Sequence, residues 1–363
     1  SYRVYRALLP GQADSITLHL VAAPRNFDEG GGATGSYYGP DGHLYSLQGQ
    51  PSAAADSVVL FEASPERALS AAGSNLYWRL RQVPGQGALA GTVGGQAVRL
   101  RLVPAAAGAL TFATRYFADS TAAFPGEVRS PKARISLQAL VPVGGPAEVR
   151  QALDAEILRD LRGDSLGGLP VVSLSALYKQ QRQQFFQDYR ADAADLRPQG
   201  DTAGLGSYRG PLSYANQTAA LVFCQQGNLL SLGFFRYSYS GGAHGIYGTT
   251  GASYDLRTGR RLRYDDIFVP AAQARLPALL AQAVRPLVGL RPGEPLDQQL
   301  FVKKMPVTRN VLLTPGGVEF VYLPYEIASY AQGELRVFLP LTQVRALLRP
   351  GLPLPGGEPV AAR

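Results

Sequence analysis

Cysteine, tryptophan and methionine each occur once in the 363 residues, histidine three times, and lysine supplies only four of the 35 cations. Each scarcity removes a class of function. Cys224 has no partner for a disulfide within the chain, and a lone cysteine fits poorly with a zinc site. Its setting, "ALVFCQQ", is a buried-strand pattern with nothing nearby to lower a thiol pKa, so it reads as a small core residue rather than a nucleophile. Cysteine-poor chains are also compatible with an oxidising compartment. No apolar run approaches the roughly 20 residues of a spanning helix, and no charged-then-apolar leader opens the sequence, so the chain reads as soluble, with any leader lying outside it. With 46% hydrophobic and 17% charged residues it is neither fibrous nor disordered, and is long enough for two domains with real cores.

The net charge is +8, and nearly all of the excess falls beyond residue 110. Blocks such as "DLRTGRRLRYDD" mix both signs, which reads as solvated hairpins rather than the one-signed stripe of a nucleic-acid surface. No nucleic-acid partner is expected.

Along the chain the grammar changes once. Residues 1–105 alternate short β-rich runs with glycine turns ("YRVYRALL", "SITLHLVAA", "TGSYYGPDGHLYSL", "NLYWRLRQV", "GALAGTVGGQAVRLRLV"), predicting an all-β antiparallel meander or small barrel. "SPERALSAAG" could add one capped helical turn. The small, uncharged "VPAAAGAL" at 103–110 marks a boundary. Beyond it "RISLQALVP" reads as a strand, and "PAEVRQALDAEILRDLRG" as a helix burying Ala147, Val149, Leu153, Ile157, Leu158 and Leu161, with Gly163 as its stop. A second helix starts at a Ser173 or Ser175 cap. Long strands follow ("TAALVFCQQ", "LLSLGFFRYSYS", "GTTGASYDL", "RRLRYDDIF"), then a helix at 271–288 that Pro277 and Pro286 should bend or end. Strands "VLLTP", "GVEFVYLP" and "ELRVFLP" precede a closing helix "LTQVRALL". The fold class is α+β with an antiparallel sheet and packed helices. Its expected parts are 1–105, 111–236, 237–350, and a disordered tail at 351–363.

The stretch "YSGGAHGIYG", 239–248, concentrates glycines around a histidine. It lacks the lysine and following helix of a phosphate loop, and no βαβ unit supports a dinucleotide fingerprint. His244 has no second ligand at metal spacing. It reads as a turn histidine bonded to backbone and lining a groove. Adjacent Asp265 and Asp266 would point to opposite faces of a strand, so capping before the following helix is the expected role. Glu326, amid Tyr322, Tyr325 and Tyr330, could be partly buried, which would call for a donor partner. No "GxSxG" elbow or cysteine-histidine pair is present. No cofactor and no metal are expected.

Two segments, "LLSLGFFRYSYSGGAHGIYGTTGASYDLRTGRRLRYDDIF" and "VLLTPGGVEFVYLPYEIASYAQGELRVFLPLTQVRALL", resemble a bacterial cell-envelope domain of unknown biochemical function. Its pattern is an aromatic strand, a Gly-Gly-Ala-His turn, an Asp-x-x-Thr-Gly hairpin and a Tyr-Glu-Ile-Ala turn. Residues 111–235 resemble its usual partner domain. Family members include the extracellular part of a lysozyme-binding anti-sigma factor, the non-catalytic portion of peptidoglycan deacetylases, and lipoproteins or secreted proteins. The C-terminal domain of the family is similar to a small subdomain of the actin-like ATPase fold without its nucleotide machinery. "GSYYGPDGHLYSLQG" resembles an N-terminal add-on of some Bacteroidetes-type envelope proteins. Ser329 stands where the family commonly has proline, which should loosen that turn.

The resemblance implies a non-enzymatic binding module, periplasmic or at the cell surface, monomeric, with a lipid anchor upstream compatible with it. A cell-wall glycan or an envelope or lysozyme-like protein is the expected partner, although a basic lysozyme would meet a region of like charge. The contact surface is expected at the rim formed by Gly241, Gly242, His244 and Tyr247 on one turn and Pro324, Tyr325, Glu326, Ser329 and Tyr330 on the other. The alternative is a peptidoglycan-acting hydrolase or deacetylase-associated enzyme, with Glu326 or Asp255 as acid and His244 as base.

Overall fold

Eight short strands close into an up-and-down barrel: β1 (Tyr2–Leu8), β2 (Ser15–Ala22), β3 (Ala33–Tyr38), β4 (Leu44–Gln50), β5 (Ser57–Glu62), β6 (Tyr77–Val83), β7 (Ala88–Val93) and β8 (Gln96–Leu102). This computed structural model describes residues 1–24, 32–50, 56–62, 76–163, 173–195 and 210–354. Alternation sends Tyr5, Leu18, Tyr37, Leu47, Leu60, Trp78, Leu80 and Leu100 inward, and they fill the barrel. The helical turn expected at "SPERALSAAG" and the last nine residues of the tail lie outside the described residues.

Beyond residues 103–110, six strands form one sheet in the order β14-β13-β12-β11-β10-β9. They are β9 (Thr111–Ala122), β10 (Lys132–Val143), β11 (Ala215–Gln226), β12 (Leu229–Tyr239), β13 (Ile246–Asp255) and β14 (Arg260–Leu262). Position 236/237, a boundary on the sequence reading, falls inside β12, so the sheet passes through it. The pairings are antiparallel except β10–β11, which is parallel. The chain between those two carries α1 (Ala147–Arg162) and α2 (Leu174–Asp195), the crossover that a parallel pair requires.

Of the face expected for α1, Val149, Leu153, Ile157 and Leu161 are buried, whereas Ala147 is exposed and Leu158 only half-buried. Gly163 caps the helix in the left-handed region, and the Ser173 hydroxyl accepts the Ala176 N–H at 3.2 Å to begin α2. The edge strand β9 is blunted: the Arg115 guanidinium reaches the Thr114 carbonyl and the Asp119 carboxylate accepts the Ser120 N–H.

The opposite face of the sheet carries a three-stranded antiparallel sheet, β15 (Val311–Thr314), β16 (Gly317–Tyr322) and β17 (Leu335–Pro340). Ser231 and Ser253 make this stacking possible in polar terms. The Ser231 hydroxyl donates to the Leu313 carbonyl at 2.6 Å and the Ser253 hydroxyl accepts the Leu313 N–H at 2.7 Å, so a strand lying face-on leaves no orphaned amide. "RRLRYDDIF", expected as one strand, is short β14 followed by α3 (Tyr264–Ile267), because the Asp266 carboxylate accepts the Arg263 N–H and starts a helix. Asp265 instead pairs with Arg309. α4 (Ala272–Leu287) runs through Pro277, and the last helix is a single turn, α5 (Leu341–Val344), continued as a 3-10 turn.

The barrel is seated on both sheets. A bulge in β11 leaves Phe223 out of register, and the Ser36 hydroxyl of β3 lies 2.6 Å from the Val222 carbonyl and 2.9 Å from that of Phe223. At the β3–β4 turn, Gly42 lies against Gly316, and His43 stacks on Phe338 at 4.8 Å and 7°. A methyl group on Gly42 would stand 2.1 Å from the Gly316 nitrogen, and its φ is +71°. Gly85 has nearly the same φ, +70°, with nothing near its missing Cβ. Gly85→Ala should therefore cost about 1 kcal/mol, the left-handed penalty alone, while Gly42→Ala should cost at least about 2 kcal/mol more by forcing backbone apart. Denaturant titration of the two variants checks this; equal losses would contradict the seat.

Candidate functional site

The β12–β13 connection reverses through Gly241 and Gly242, at φ 92° and 90°, conformations in which a side chain would be strained. The Tyr239 hydroxyl donates to the Gly242 carbonyl at 3.0 Å and fixes the loop. His244 then projects with both ring nitrogens engaged. Its Nδ1 lies 2.9 Å from the Gly245 carbonyl, which can only accept, so Nδ1 carries the proton. In the neutral ring that leaves Nε2 to accept from the Tyr325 hydroxyl, 3.1 Å away and 81 residues distant in sequence.

The second turn holds Tyr325 in place at a cost. Glu326 N–H donates to the Leu323 carbonyl at 3.0 Å, closing a four-residue turn with Pro324 second and Tyr325 third. A type II turn needs positive φ at that third position, where glycine or asparagine is usual. Tyr325 takes φ 70°, and it is the one non-glycine residue with positive φ among the described residues. The Glu326 carboxylate accepts the Leu323 N–H at 2.9 Å and Tyr325 N–H donates to the Ala328 carbonyl at 3.1 Å. Glu326 is exposed, not buried among the tyrosines, because its own turn supplies the donor. Ser329 adopts φ −66°, the value proline would impose, and the 3-10 turn Tyr330–Gln332 follows with Gly333 N–H closing on the Tyr330 carbonyl.

The two turns meet. His244 stacks on Tyr330 at 3.9 Å and 22°, Tyr325 lies 5.7 Å from Tyr330, and Tyr247 meets Tyr330 edge-on at 5.7 Å. Burial pushes the Tyr247 phenol above its ordinary range. Glu334 locks this corner to the sheet: one oxygen accepts the Thr249 N–H at 2.6 Å and the other the Arg336 Nε at 2.7 Å. Asn310 covers the rest of the β13 edge through the Gly251 N–H and the Thr249 carbonyl.

Sequence reasoning missed the apolar skirt of this rim. Phe301, whose N–H donates to the Ile327 carbonyl, is 63% exposed; Ile246 is 63% exposed, and Leu323, packed over Gly248, is 38% exposed. Single apolar residues in loops or at a strand end give no pattern to detect. The acids of the alternative reading do not converge on His244. Asp255 lies at the opposite end of β13, held at both oxygens by Arg257, and Glu326 is tied to Leu323. Cys224 is buried and its thiol is pushed up to about 12, chiefly by burial. Among the described residues no cluster of potential metal ligands occurs, and no helix is long and apolar enough to cross a membrane.

Residues 265–342 match a family described as "Protein of unknown function (DUF3298)". This DUF3298 stretch contains the Pro324–Tyr330 side of the rim and begins after the Gly241–Tyr247 side. A crystal structure of a DUF3298 family member from Bacteroides fragilis is similar at 24% identity, covering 67% of this chain and 94% of that one with a TM-score of 0.56. A DUF3298 family protein from Pseudomonas aeruginosa PAO1 aligns at 23% identity over 68% of this chain and 98% of its own, with a TM-score of 0.47. At such identity the first likeness concerns the fold. No curated protein matches the chain.

The strain at Tyr325 is directly measurable. Alanine there keeps the left-handed penalty and glycine removes it, so Tyr325→Gly should be about 1 kcal/mol more stable than Tyr325→Ala. Thermal unfolding of both variants decides; an alanine variant equal to or more stable than the glycine one would contradict the turn assignment.

Proposed function

We propose that the chain is a non-enzymatic, exported binding module of the cell envelope whose rim docks onto a protein, either an envelope protein or a lysozyme-like one. One observation carries the choice of a protein over a glycan. The polar groups of the rim serve its own shape: His244 through both nitrogens, Glu326 through Leu323, and Glu334 through Thr249 and Arg336. Beside these engaged polar groups the rim turns large apolar side chains outward, with Ile246, Phe301, Leu323 and Tyr325 all exposed. A sugar site pairs an aromatic face with free directional donors and acceptors, whereas a protein anchor fits rigid aromatic and aliphatic faces ringed by polar groups. The strained Tyr325 supports the reading, because strained residues collect at binding sites and an unconstrained surface turn would hold glycine there. The exported location rests on the family resemblance of the two rim segments.

Biosensor binding to animal-type lysozymes and to purified peptidoglycan fragments tests the proposal. Binding to a protein analyte should weaken about thirtyfold in Tyr325→Ala or Phe301→Ala, which remove anchors of about 2 kcal/mol, with unfolding temperatures kept within a few degrees. Binding to peptidoglycan fragments alone, or affinity unchanged by both substitutions, would overturn it.

A further inference from the structure

His19 occupies the seam between the barrel and the six-stranded sheet. It sits on β2 between Leu18 and Leu20, which face the barrel interior, so its own side chain faces outward with Val21, toward the core of the sheet. Its exposure is 1%. The ring is sandwiched between Tyr2 of β1, at 6.1 Å and 2°, and Tyr38 of β3, at 5.8 Å and 25°. Tyr2 in turn meets Phe112 of β9 edge-on at 5.6 Å. Around this stack the barrel touches the sheet through the Tyr116 hydroxyl, which donates to the Ala22 carbonyl at 2.8 Å, and through Ser36 at the β11 bulge.

Nδ1 of His19 lies 2.8 Å from the Tyr2 hydroxyl, and Nε2 has no hydrogen-bond partner among the described residues. Neutral imidazole tolerates this arrangement at modest cost. A second proton would place a charge and an unanswered N–H in an aromatic seam. The titratable groups around it are Tyr2 from β1, Tyr38 from β3 and Cys224 from β11, and each is held neutral because burial pushes it upward; Arg6, whose charge acts on Tyr38, and Arg3, whose charge acts on the N-terminal ammonium, are cations. Among the described residues no anion acts on His19 to receive the proton's charge.

We propose that the seat of the barrel on the sheet is acid-labile, and that His19 is the group whose protonation opens it. Burial lowers the His19 pKa to about 3, with no charged partner contributing. The sign follows. In the opened seam imidazole returns to its ordinary value near 6.5, so the opened form binds the proton first. The closed seat is fully favoured above about pH 6.5 and loses stability as pH falls from there toward the folded value, with the opening constant rising about tenfold per pH unit. The side chains that fill the barrel, among them Leu18, Leu20 and Trp78, lie on the inward face of its strands, opposite to His19. A module built this way would present its β11 bulge and the outer wall of β3 only in an acidified environment.

Hydrogen exchange followed by mass spectrometry on the full chain tests the proposal, with rates corrected for the chemical pH dependence of amide exchange. Between about pH 6.5 and about pH 4.5, corrected opening in segments 17–22, 34–38 and 218–226 should rise about fiftyfold in the wild type, while segment 278–285 of α4 changes little. His19→Gln, which still offers Tyr2 a polar partner, and His19→Phe, which keeps the stack, should both flatten the profile. Should one variant fold poorly, the other still gives the slope. A wild-type profile as flat as those of the variants, or variants as steep as the wild type, overturns the proposal, as does an equal rise in 278–285, which would mean global acid unfolding.

Discussion

Arg336 is the side chain on which the arrangement of the three β-structures turns. From β17 its guanidinium reaches the Ser46 hydroxyl of barrel strand β4 at 2.8 Å, Glu334 at 2.7 Å, and the Thr249 hydroxyl of β13 at 3.4 Å, with Glu319 of β16 at 3.8 Å. Its Cζ lies 4.7 Å over the Phe223 ring, at the bulge where the barrel also lands. Only arginine combines a planar fork of donors with a face that stacks on an aromatic ring. Lysine would keep the charge and lose the geometry. The same residue thus fixes the small sheet on the large one, holds the barrel to both, and sets Glu334, which pins the rim to the edge of β13.

Rigidity at the rim follows from that connection. A turn that holds tyrosine in a left-handed conformation persists only if its surroundings over-determine it. Here His244 holds the Tyr325 hydroxyl, the Ala328 carbonyl accepts its backbone N–H, Leu323 closes the turn through the Glu326 N–H, and Tyr330 packs alongside at 5.7 Å. The outcome is a set of apolar faces presented at fixed angles, the kind of surface that binds with little ordering entropy. The buried carboxylate Asp160 does comparable work on the helical side. Tyr254 donates to it at 2.6 Å and Arg261 pairs with it, which offsets the burial that raises its pKa and ties α1 to β13 and β14.

Much of this was legible in the sequence where the signal is local. Glycine turns between alternating runs gave the barrel strands, because hairpin chemistry is written in adjacent residues. The Gly-Gly reversal before His244 and the Pro-Tyr-Glu turn were visible for the same reason, as were the Ser173 cap and the Gly163 stop. What escaped is non-local or runs against propensity. The β10–β11 pairing joins Arg134 to Ala215 across two helices, and no pattern in either strand declares its partner. Pro277 within α4 and the helical turn after Arg263 were settled by packing and by a carboxylate cap. Left-handed tyrosine is invisible because the third turn position is normally marked by glycine, and the meeting of His244 with Tyr325 depends on a sheet seating that only the folded chain provides.

Barrel, sheets and rim form one mechanical unit at neutral pH, with Arg336 as the common contact. Trp78, the single tryptophan, lies inside the barrel with 0% exposure, so its fluorescence reports the barrel alone, whereas far-UV circular dichroism reports the whole chain. Chemical unfolding followed by both signals shows whether the three parts unfold together. Coincident transitions in the wild type, separating in Arg336→Met, are the predicted result; separate transitions in the wild type itself would contradict it.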